Sequence, residues 1–326
     1  MKLLITGAAG FIGMHTAQRL CAAGHDVIGI DNLNDYYSVE LKRARLDQLT
    51  RLDNFRFIKL DIVDHAALMK LFIEQRFDGV IHLAAQAGVR YSLENPQAYA
   101  DSNLVGFLNV LEACRHVIPM HLIYASSSSV YGSNPKVPFA TCDTVDRPAS
   151  LYAATKRANE LLAHSYSQLY QIPATGLRFF TVFGPWGRPD MALFKFTKAI
   201  LNEQHIDVYN HGNLSRDFTY IDDIVEGISR LLSLPPRASS DDLKVPHRLL
   251  NIGRGEPVRL LDFIQCIEQN LGMSARKNML PMQPGDVERT WADINELAQL
   301  INFRPQTSLS DGVSQFVGWY RRFYQE

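Results

Sequence analysis

The sequence predicts an α/β protein built on a Rossmann-type, doubly wound parallel sheet, with a smaller α/β domain towards the C-terminus. Two observations predict this fold. Short apolar runs alternate with longer amphipathic stretches through the first half of the chain, and a glycine-rich turn follows the first apolar run. Such alternation is typical of a parallel sheet that helices cover on both faces. The length of 326 residues indicates about two domains.

The apolar runs give the predicted strands, which lie at 3–6, 27–30, 55–60, 80–83, 122–125 and 174–178. Helical patterns are predicted between them at 11–23, 38–50, 64–75, 97–116 and 152–170. Near residue 180 the alternation ends, with Gly, Pro and Trp clustered at 183–189. Residues 234–248 are rich in turn formers, which predicts a surface loop. We therefore expect one domain over 1–180 and another over 181–326, with chain crossings between them.

Composition argues against several classes of protein. The 33 basic and 34 acidic residues give a net charge of −1, without the basic excess typical of proteins that bind nucleic acid or membrane surfaces. The chain contains no apolar run long enough for a membrane span, and its first apolar run is too short for a signal peptide. The four cysteines lack metal-ligand spacing. A cytoplasmic protein without a metal site is expected.

A glycine-rich turn with the spacing GxxGxxG follows the first strand and opens the first helix. Gly7, Gly10 and Gly13 allow backbone N–H groups to approach a pyrophosphate at the positive end of that helix. Asp31 ends the second strand, where a carboxylate can accept hydrogen bonds from both ribose hydroxyls and would repel a 2′-phosphate. The pattern predicts an NAD site in preference to an NADP site.

Further cofactor contacts are expected where strands end, because an open parallel sheet binds its ligand at the carboxyl ends of its strands. Small side chains at such positions let a cofactor pass closely. The additional predicted contacts are Phe11, Ile12, Asn32, Asp61, Ile62, Leu83, Ala84 and Ala85, together with the tyrosine and lysine described next.

A candidate catalytic group combines a helix with a strand end. Tyr152 and Lys156 stand one helical turn apart on one face. A nearby ammonium favours the phenolate and is expected to lower the tyrosine pKa, which suits a general base. Ser127 belongs to a run of four serines after another strand, and its hydroxyl is placed to share a substrate proton with Tyr152. A tyrosine and a lysine at this spacing are common by chance, so the prediction of a catalytic group depends largely on the serine run.

Together these motifs resemble the extended short-chain dehydrogenase/reductase family, in particular its NAD-dependent nucleotide-sugar epimerases and dehydratases. The similarity extends essentially end to end and includes the segments 216–223, 251–253 and 285–290. It implies a nucleotide sugar bound between two domains, with NAD retained through turnover. Arg216 and Arg289 match the positions that hold the diphosphate. The resemblance also implies a homodimer through the helices at 97–116 and 152–170.

Positions 128 and 129 bear on the reaction. Dehydratases of the family place an Asp-Glu pair there and decarboxylases a glutamate before Val-Tyr-Gly, whereas this chain has Ser128 and Ser129. The resemblance therefore implies oxidation at C4 of the sugar followed by reduction from the opposite face, which is 4-epimerisation. The segments 31–37, 86–92 and 178–192 are similar to those of family members that act on UDP-glucuronate.

A uronate substrate needs donors for its carboxylate, because oxidation at C4 creates a β-keto acid that readily loses CO2. The candidates are Ser128, Ser129, Thr181, Arg188 and, more weakly, Arg90. Arg188 has the alternative of anchoring Asp190. Two other interpretations stay open: a 4-epimerase of UDP-glucose or UDP-N-acetylglucosamine type substrates, and a non-catalytic NAD-binding sensor. Sensors on this fold typically lose the tyrosine or the lysine, and this chain has both.

Overall fold

A computed structural model describes residues 1–238, 245–283 and 287–325. The strands are β1 (Lys2–Thr6), β2 (Asp26–Asp31), β3 (Phe55–Lys59), β4 (Gly79–His82), β5 (His121–Ser127), β6 (Ala174–Phe179), β7 (Thr181–Phe183), β8 (His205–Val208), β9 (Ser215–Tyr220), β10 (His247–Ile252), β11 (Pro257–Arg259), β12 (Arg276–Met279) and β13 (Arg289–Thr290). The helices are α1 (Phe11–Ala22), α2 (Val39–Leu49), α3 (His65–Gln75), α4 (Tyr91–Glu94), α5 (Pro96–Tyr99), α6 (Gly106–His116), α7 (Leu151–Tyr170), α8 (Ala192–Leu201), α9 (Ile221–Leu232), α10 (Leu260–Leu271), α11 (Asn295–Ile301) and α12 (Leu309–Tyr324).

Seven strands form the large sheet in the order β3-β2-β1-β4-β5-β6-β10. Every neighbouring pair is parallel. The order reverses between β1 and β4, which is where a doubly wound sheet opens a crevice for a ligand. The predicted Rossmann-type fold is confirmed, and each of the six predicted strands is present with ends shifted by at most two residues.

Helices cover both faces of this sheet because its strands are apolar on both sides. In β1, Leu3 and Ile5 pack into the core on one face, and Leu4 packs into the core on the other. All three are fully buried. The α1 and α9 helices pack against each other, and so do α3 and α6. The strands therefore read as continuous apolar runs instead of alternating with polar residues.

Two predicted segments differ in the structure. The helix predicted over 97–116 contains a π-helical segment, Ala100–Val105, between α5 and α6. The surface loop predicted over 234–248 is wrong at its end, because His247 and Arg248 begin β10 and pair with Ala174 and Thr175 of β6. The polar composition before β10 hid this strand, which is only partly buried at its start. Residues 239–244 lie outside the described residues.

The remaining strands form smaller sheets. In one, β9 pairs with β7, β11 and β13, and in the other β8 pairs with β12. The α8, α10 and α12 helices pack around them, with the rings of Phe218 and Phe263 stacked 4.1 Å apart. Because β10 and α9 return to the large sheet, the chain crosses the expected boundary near residue 180 repeatedly. Across the described ranges no helix is long and apolar enough to traverse a membrane.

Candidate active site

A cavity of about 430 Å³ opens at the carboxyl ends of β1, β2, β4 and β5, beside the first turn of α1. All the residues expected to contact the cofactor line it: Gly7, Gly10, Phe11, Ile12, Gly13, Asp31, Asn32, Asp61, Ile62, Leu83, Ala84, Ala85, Tyr152 and Lys156. Ser127, Ser128, Ser129, Thr181 and Arg188 line the same cavity. The structure therefore brings the glycine turn, the serine run and the loop arginine together.

The glycine turn leaves no room for side chains. Gly7 has a φ of +73°, and a Cβ added there would lie 2.8 Å from the backbone nitrogen of Ala84. A Cβ on Gly13 would lie 2.0 Å from the carbonyl oxygen of Gly7. No side chain caps α1, and its first turn contains no acidic residue. The N–H groups of that turn, which have no acceptor within the helix, are therefore suited to a phosphate of a dinucleotide.

Asp31 lies at the end of β2 and holds two backbone segments. Its carboxylate accepts hydrogen bonds from the N–H groups of Leu33 at 2.8 Å and Ala9 at 3.1 Å. Burial raises its pKa, although these hydrogen bonds and the charge of Lys42 act in the opposite direction. A carboxylate has about four acceptor positions, so capacity remains for a ribose diol. At the neighbouring strand end, Asn32 donates to Asp61 at 2.9 Å.

The Ser127, Tyr152 and Lys156 side chains meet where β5 ends and α7 begins. Ser150 caps α7 by accepting a hydrogen bond from the N–H of Ala153 at 3.1 Å, which places Tyr152 in the first turn. Ser127 and Tyr152 line the same cavity, and the interaction with the Ser127 side chain acts to lower the pKa of Tyr152. Lys156 is 2% exposed, and its ammonium donates to the carbonyl of Ala125 at 2.9 Å. This is the geometry expected of a tyrosine base with a serine partner.

The expected lowering of the Tyr152 pKa by Lys156 is not produced by the chain alone. Burial raises the pKa of Tyr152, and the counteracting effects come from the hydrogen bond with Ser127 and the charge of Arg188. Burial also lowers the pKa of Lys156 to about 8. The ammonium is directed to the carbonyl of Ala125 at the end of β5. The prediction was wrong in its direction because desolvation of the phenolate outweighs the attraction of nearby charges.

Arg188 lies on the cavity wall in the loop between β7 and α8, where it is paired with Asp190. Its Nε lies 3.0 Å from Oδ1 of Asp190, and its Nη2 lies 2.5 Å from Oδ2. The Tyr36 hydroxyl donates to the same Oδ2 at 3.2 Å. Burial alone would raise the pKa of Asp190, but the charge and hydrogen bonds of Arg188, together with weaker hydrogen bonds from the Asp190 backbone and Tyr36, hold that pKa below its usual value. Arg188 therefore anchors Asp190, as the alternative interpretation expected, and it also lines the cavity.

The other predicted arginines lie outside the wall of this cavity. The Arg90 guanidinium stacks 5.0 Å from the centre of the Tyr209 ring. Arg216 on β9 donates to the carbonyl oxygens of Ser215 at 3.0 Å and Glu288 at 3.1 Å. Arg289 lies on β13, which pairs with β9, so Arg216 and Arg289 stand on adjacent strands. The preceding Gly285 and Asp286 of that motif lie outside the described residues.

Sequence reasoning did not identify Arg45, which joins two parts of the site. Its guanidinium is fully buried and donates to the carbonyl oxygens of Ala9 at 3.0 Å and Trp186 at 2.7 Å. It therefore ties the glycine turn to the loop that carries Arg188. A signal was available, because Leu41, Arg45 and Leu49 follow each other at helical spacing on the buried face of α2.

Asn103 is a second residue that was not identified. It lies in the π-helical segment, accepts the N–H of Gln86 at 2.8 Å and donates to the hydroxyl of Thr155 at 3.1 Å. Gln86 lines the cavity, and Thr155 precedes Lys156 in α7. Asn103 thereby fixes the loop after β4 against the catalytic helix. Irregular helix of this kind often marks a functional site, but its position is not readable from apolar periodicity.

A buried ion pair lies behind the serine run. Arg178 donates to both carboxylate oxygens of Glu160, at 2.8 and 2.9 Å, and both side chains are 1% exposed. Ser126 donates to Glu160 at 2.6 Å. Glu160 follows Lys156 by one helical turn, so this pair fixes α7 against the ends of β5 and β6.

Comparison with known proteins agrees with this geometry. The model of the NAD dependent epimerase/dehydratase family matches residues 3–253. Protein CapI of Staphylococcus aureus is 55% identical over 335 aligned positions that cover 100% of both chains. A probable UDP-glucuronate 4-epimerase of Rhizobium meliloti (strain 1021) is 51% identical and covers 100% of this chain and 98% of its own length.

Among solved structures, a UDP-glucuronic acid 4-epimerase from Bacillus cereus was crystallised in complex with UDP-glucuronic acid and NAD. It is 37% identical to this chain, with a TM-score of 0.90 and coverage of 99% of this chain and 100% of that chain. The similarity therefore includes both the large sheet and the smaller sheets beyond it.

Proposed function

The chain belongs to the NAD dependent epimerase/dehydratase family, and we propose that it interconverts UDP-glucuronate and UDP-galacturonate as an NAD-dependent 4-epimerase. One observation carries this proposal. The cavity that contains Ser127, Tyr152 and Lys156 is also lined by the glycine turn and by Arg188. A dinucleotide and an anionic sugar therefore have complementary walls in a single cavity.

NAD fits the described residues. The glycine turn and the first turn of α1 would hold its pyrophosphate, Asp31 would accept the ribose hydroxyls, and Ala84 and Ala85 leave space beside it. When bound, NAD supplies the acceptor and donor for the hydrogen at C4 of the sugar. Its positive nicotinamide also offers the charge that Tyr152 lacks within the chain alone.

The residues of the chain provide proton transfer and orientation. Tyr152 takes the proton of the C4 hydroxyl as a general base and returns a proton after the keto sugar has turned over. Ser127 lines the cavity beside Tyr152 and is placed to hydrogen-bond the same oxygen of the sugar. Lys156, anchored on the carbonyl of Ala125, lines the cavity one helical turn from the base.

The substrate carboxylate is held by polar groups that line the same cavity. Ser128, Ser129 and Thr181 offer hydroxyl donors, and Arg188 offers a cation. Charged hydrogen bonds of this kind contribute about 1.5–3 kcal/mol each. They keep the carboxylate of the β-keto acid hydrogen-bonded, which opposes loss of CO2. Ser128 and Ser129 stand where a carboxylic acid would assist other reactions of the family.

Four further proposals concern the rest of the molecule. Arg216 and Arg289, on adjacent strands, hold the diphosphate, and residues 181–326 provide most of the sugar-binding domain while 1–180 bind NAD. A homodimer forms through α6 and α7, which pack together and expose Leu108 and Leu161. A cytoplasmic setting is supported by the four unbridged cysteines.

A substrate panel tests the proposed reaction. Purified protein is given UDP-glucuronate, UDP-glucose or UDP-N-acetylglucosamine, and the products are identified by NMR. We expect UDP-galacturonate from the first, without CO2 or a UDP-pentose. Conversion of UDP-glucose with UDP-glucuronate untouched would instead support the neutral-sugar epimerase. Loss of CO2 would contradict the role given to the serines, and binding without conversion of any sugar would support a sensor.

A further inference from the structure

We propose that Asp190 is a positioning residue that competes with the sugar carboxylate for Arg188 and so limits how tightly the site holds a uronate. The inference rests on the proposed role of Arg188 towards the substrate carboxylate. It concerns a residue that the sequence offered only as an alternative partner for Arg188.

The contacts of Asp190 occupy one edge of the guanidinium. Oδ1 accepts from Nε of Arg188 at 3.0 Å and Oδ2 accepts from Nη2 at 2.5 Å, which is a bidentate pair. The Tyr36 hydroxyl donates to Oδ2 at 3.2 Å and holds the carboxylate from the side of the β2–α2 loop. A substrate carboxylate that seeks the same edge must displace Asp190 or share the guanidinium with it.

The position of the pair makes this competition effective. Arg188 and Tyr36 both line the cavity that contains Tyr152. The side chains of Arg188 and Asp190 are 22% and 26% exposed, so the pair is reachable yet poorly screened by water. Together the two charges sum to zero. An incoming carboxylate therefore meets attraction from Arg188 and repulsion from Asp190, whereas a neutral sugar meets neither.

Epimerisation gives this arrangement a use. The keto sugar must turn over in the cavity during every turnover, so its carboxylate must change its contacts with Arg188. A guanidinium without another partner would hold the carboxylate strongly in the ground state, and such binding does not accelerate the reaction. When the sugar carboxylate moves away, the guanidinium of Arg188 pairs with Asp190 again, so this partly buried cation always has an anionic partner. Asp190 thereby lowers the affinity for the uronate substrate and raises kcat.

The test is Asp190→Asn, which keeps an amide oxygen for Arg188 and removes the charge. Affinities of the NAD-bound enzyme for UDP-glucuronate and UDP-glucose are measured by calorimetry, and kcat and KM are measured with UDP-glucuronate. We expect the preference for UDP-glucuronate over UDP-glucose to rise about tenfold, because a like charge is removed beside the carboxylate. We expect kcat to fall several-fold. Tighter binding with slower turnover is not a result that local misfolding produces.

Two further variants separate the possible outcomes. Tyr36→Phe removes one of the three hydrogen bonds to Asp190 and should shift the preference in the same direction by a smaller factor. In an Arg188→Met background, Asp190→Asn should leave the preference unchanged. If Asp190→Asn and Tyr36→Phe leave the preference unchanged while Arg188→Met lowers it, the competition is disproved and the role of Arg188 stands. If Arg188→Met leaves the preference unchanged, both the competition and the proposed role of Arg188 fail.

Discussion

Two groups of residues that line the cavity, here called its cofactor end and its sugar end, are built differently. The cofactor end consists of the glycine turn, Asp31 and the buried Lys156, which are held by backbone geometry and short hydrogen bonds. The sugar end consists of Thr181, the serines and a loop ion pair whose side chains keep about a quarter of their surface exposed. The first is rigid before any ligand binds, whereas the second contains a contact that a substrate must exchange. The proposed reaction, in which NAD is retained and the keto sugar turns over, requires this difference.

Tyr152→Phe should give the largest effect and tests whether the two ends act independently. Loss of the general base should lower kcat about a thousandfold, while NAD stays bound because the glycine turn and Asp31 are untouched. Turnover is followed by NMR and bound NAD by absorbance after denaturation. Tyr170→Phe, at the far end of the same helix, is the matched control and should keep full activity. Normal turnover by the Tyr152 variant would show that Tyr152 is not the general base.

Gly13→Ala should damage the cofactor end directly. The added Cβ would lie 2.0 Å from the carbonyl oxygen of Gly7, so the turn must open to accommodate it. We expect NAD affinity to fall by about a hundredfold, since overpacking of this kind costs about 1–3 kcal/mol or more. Gly318→Ala in α12 is the control, because its nearest neighbour lies 3.6 Å away at the end of a flexible side chain. A Gly13→Ala protein that purifies with full NAD would contradict the rigid turn.

The pH dependence of stability tests the burial of Lys156. Its pKa in the folded chain is about 8, below the ordinary value of 10.5, so the unfolded chain binds this proton more tightly. Raising the pH from about 8 to 10.5 should therefore stabilise the folded state by up to about 3 kcal/mol through this group. The measurement is urea unfolding of nucleotide-free protein against Lys156→Met over that range. A constant difference between the two proteins would show that Lys156 titrates normally.

The cofactor end was predictable from the sequence because its function depends on local requirements of the backbone. The spacing of Gly7, Gly10 and Gly13 and the strand before Asp31 all lie within a short stretch, and each indicates a backbone position. The Rossmann-type sheet was predictable for the same reason, since apolar runs identify buried strands. The strand β10 was not, because it follows a polar stretch and pairs with β6 only in the tertiary fold.

The sugar end was less predictable because its residues are brought together over long separations. Arg45 and Trp186 are 141 positions apart, and Tyr36 and Asp190 are 154 apart. Resemblance to a family could propose Arg188, and the sequence offered Asp190 as its alternative partner, but neither indicated that Tyr36 would hold the Asp190 carboxylate. It also could not show that Arg90 would stack on Tyr209 instead of lining the cavity.

Arg45→Met should give the smallest effect on activity, and it tests the connection between the two ends. Arg45 donates to Ala9 in the glycine turn and to Trp186 and Gly187 in the arginine loop, so its loss frees the loop from the turn. Its buried charge has neutral hydrogen-bond acceptors, and removal of that charge offsets part of the lost bonding. We expect stability to fall by about 1–3 kcal/mol, because buried carbonyl oxygens of the turn and the loop lose their donor.

The loosened loop should raise KM for UDP-glucuronate about threefold to tenfold, because Arg188 would no longer be held at the cavity wall. Bound NAD should be retained, since Asp31 still accepts the N–H of Ala9. Steady-state kinetics and the stoichiometry of bound NAD check both expectations, with Arg43→Met on the exposed face of α2 as the control. Loss of NAD with an unchanged KM would show that Arg45 serves the cofactor end alone.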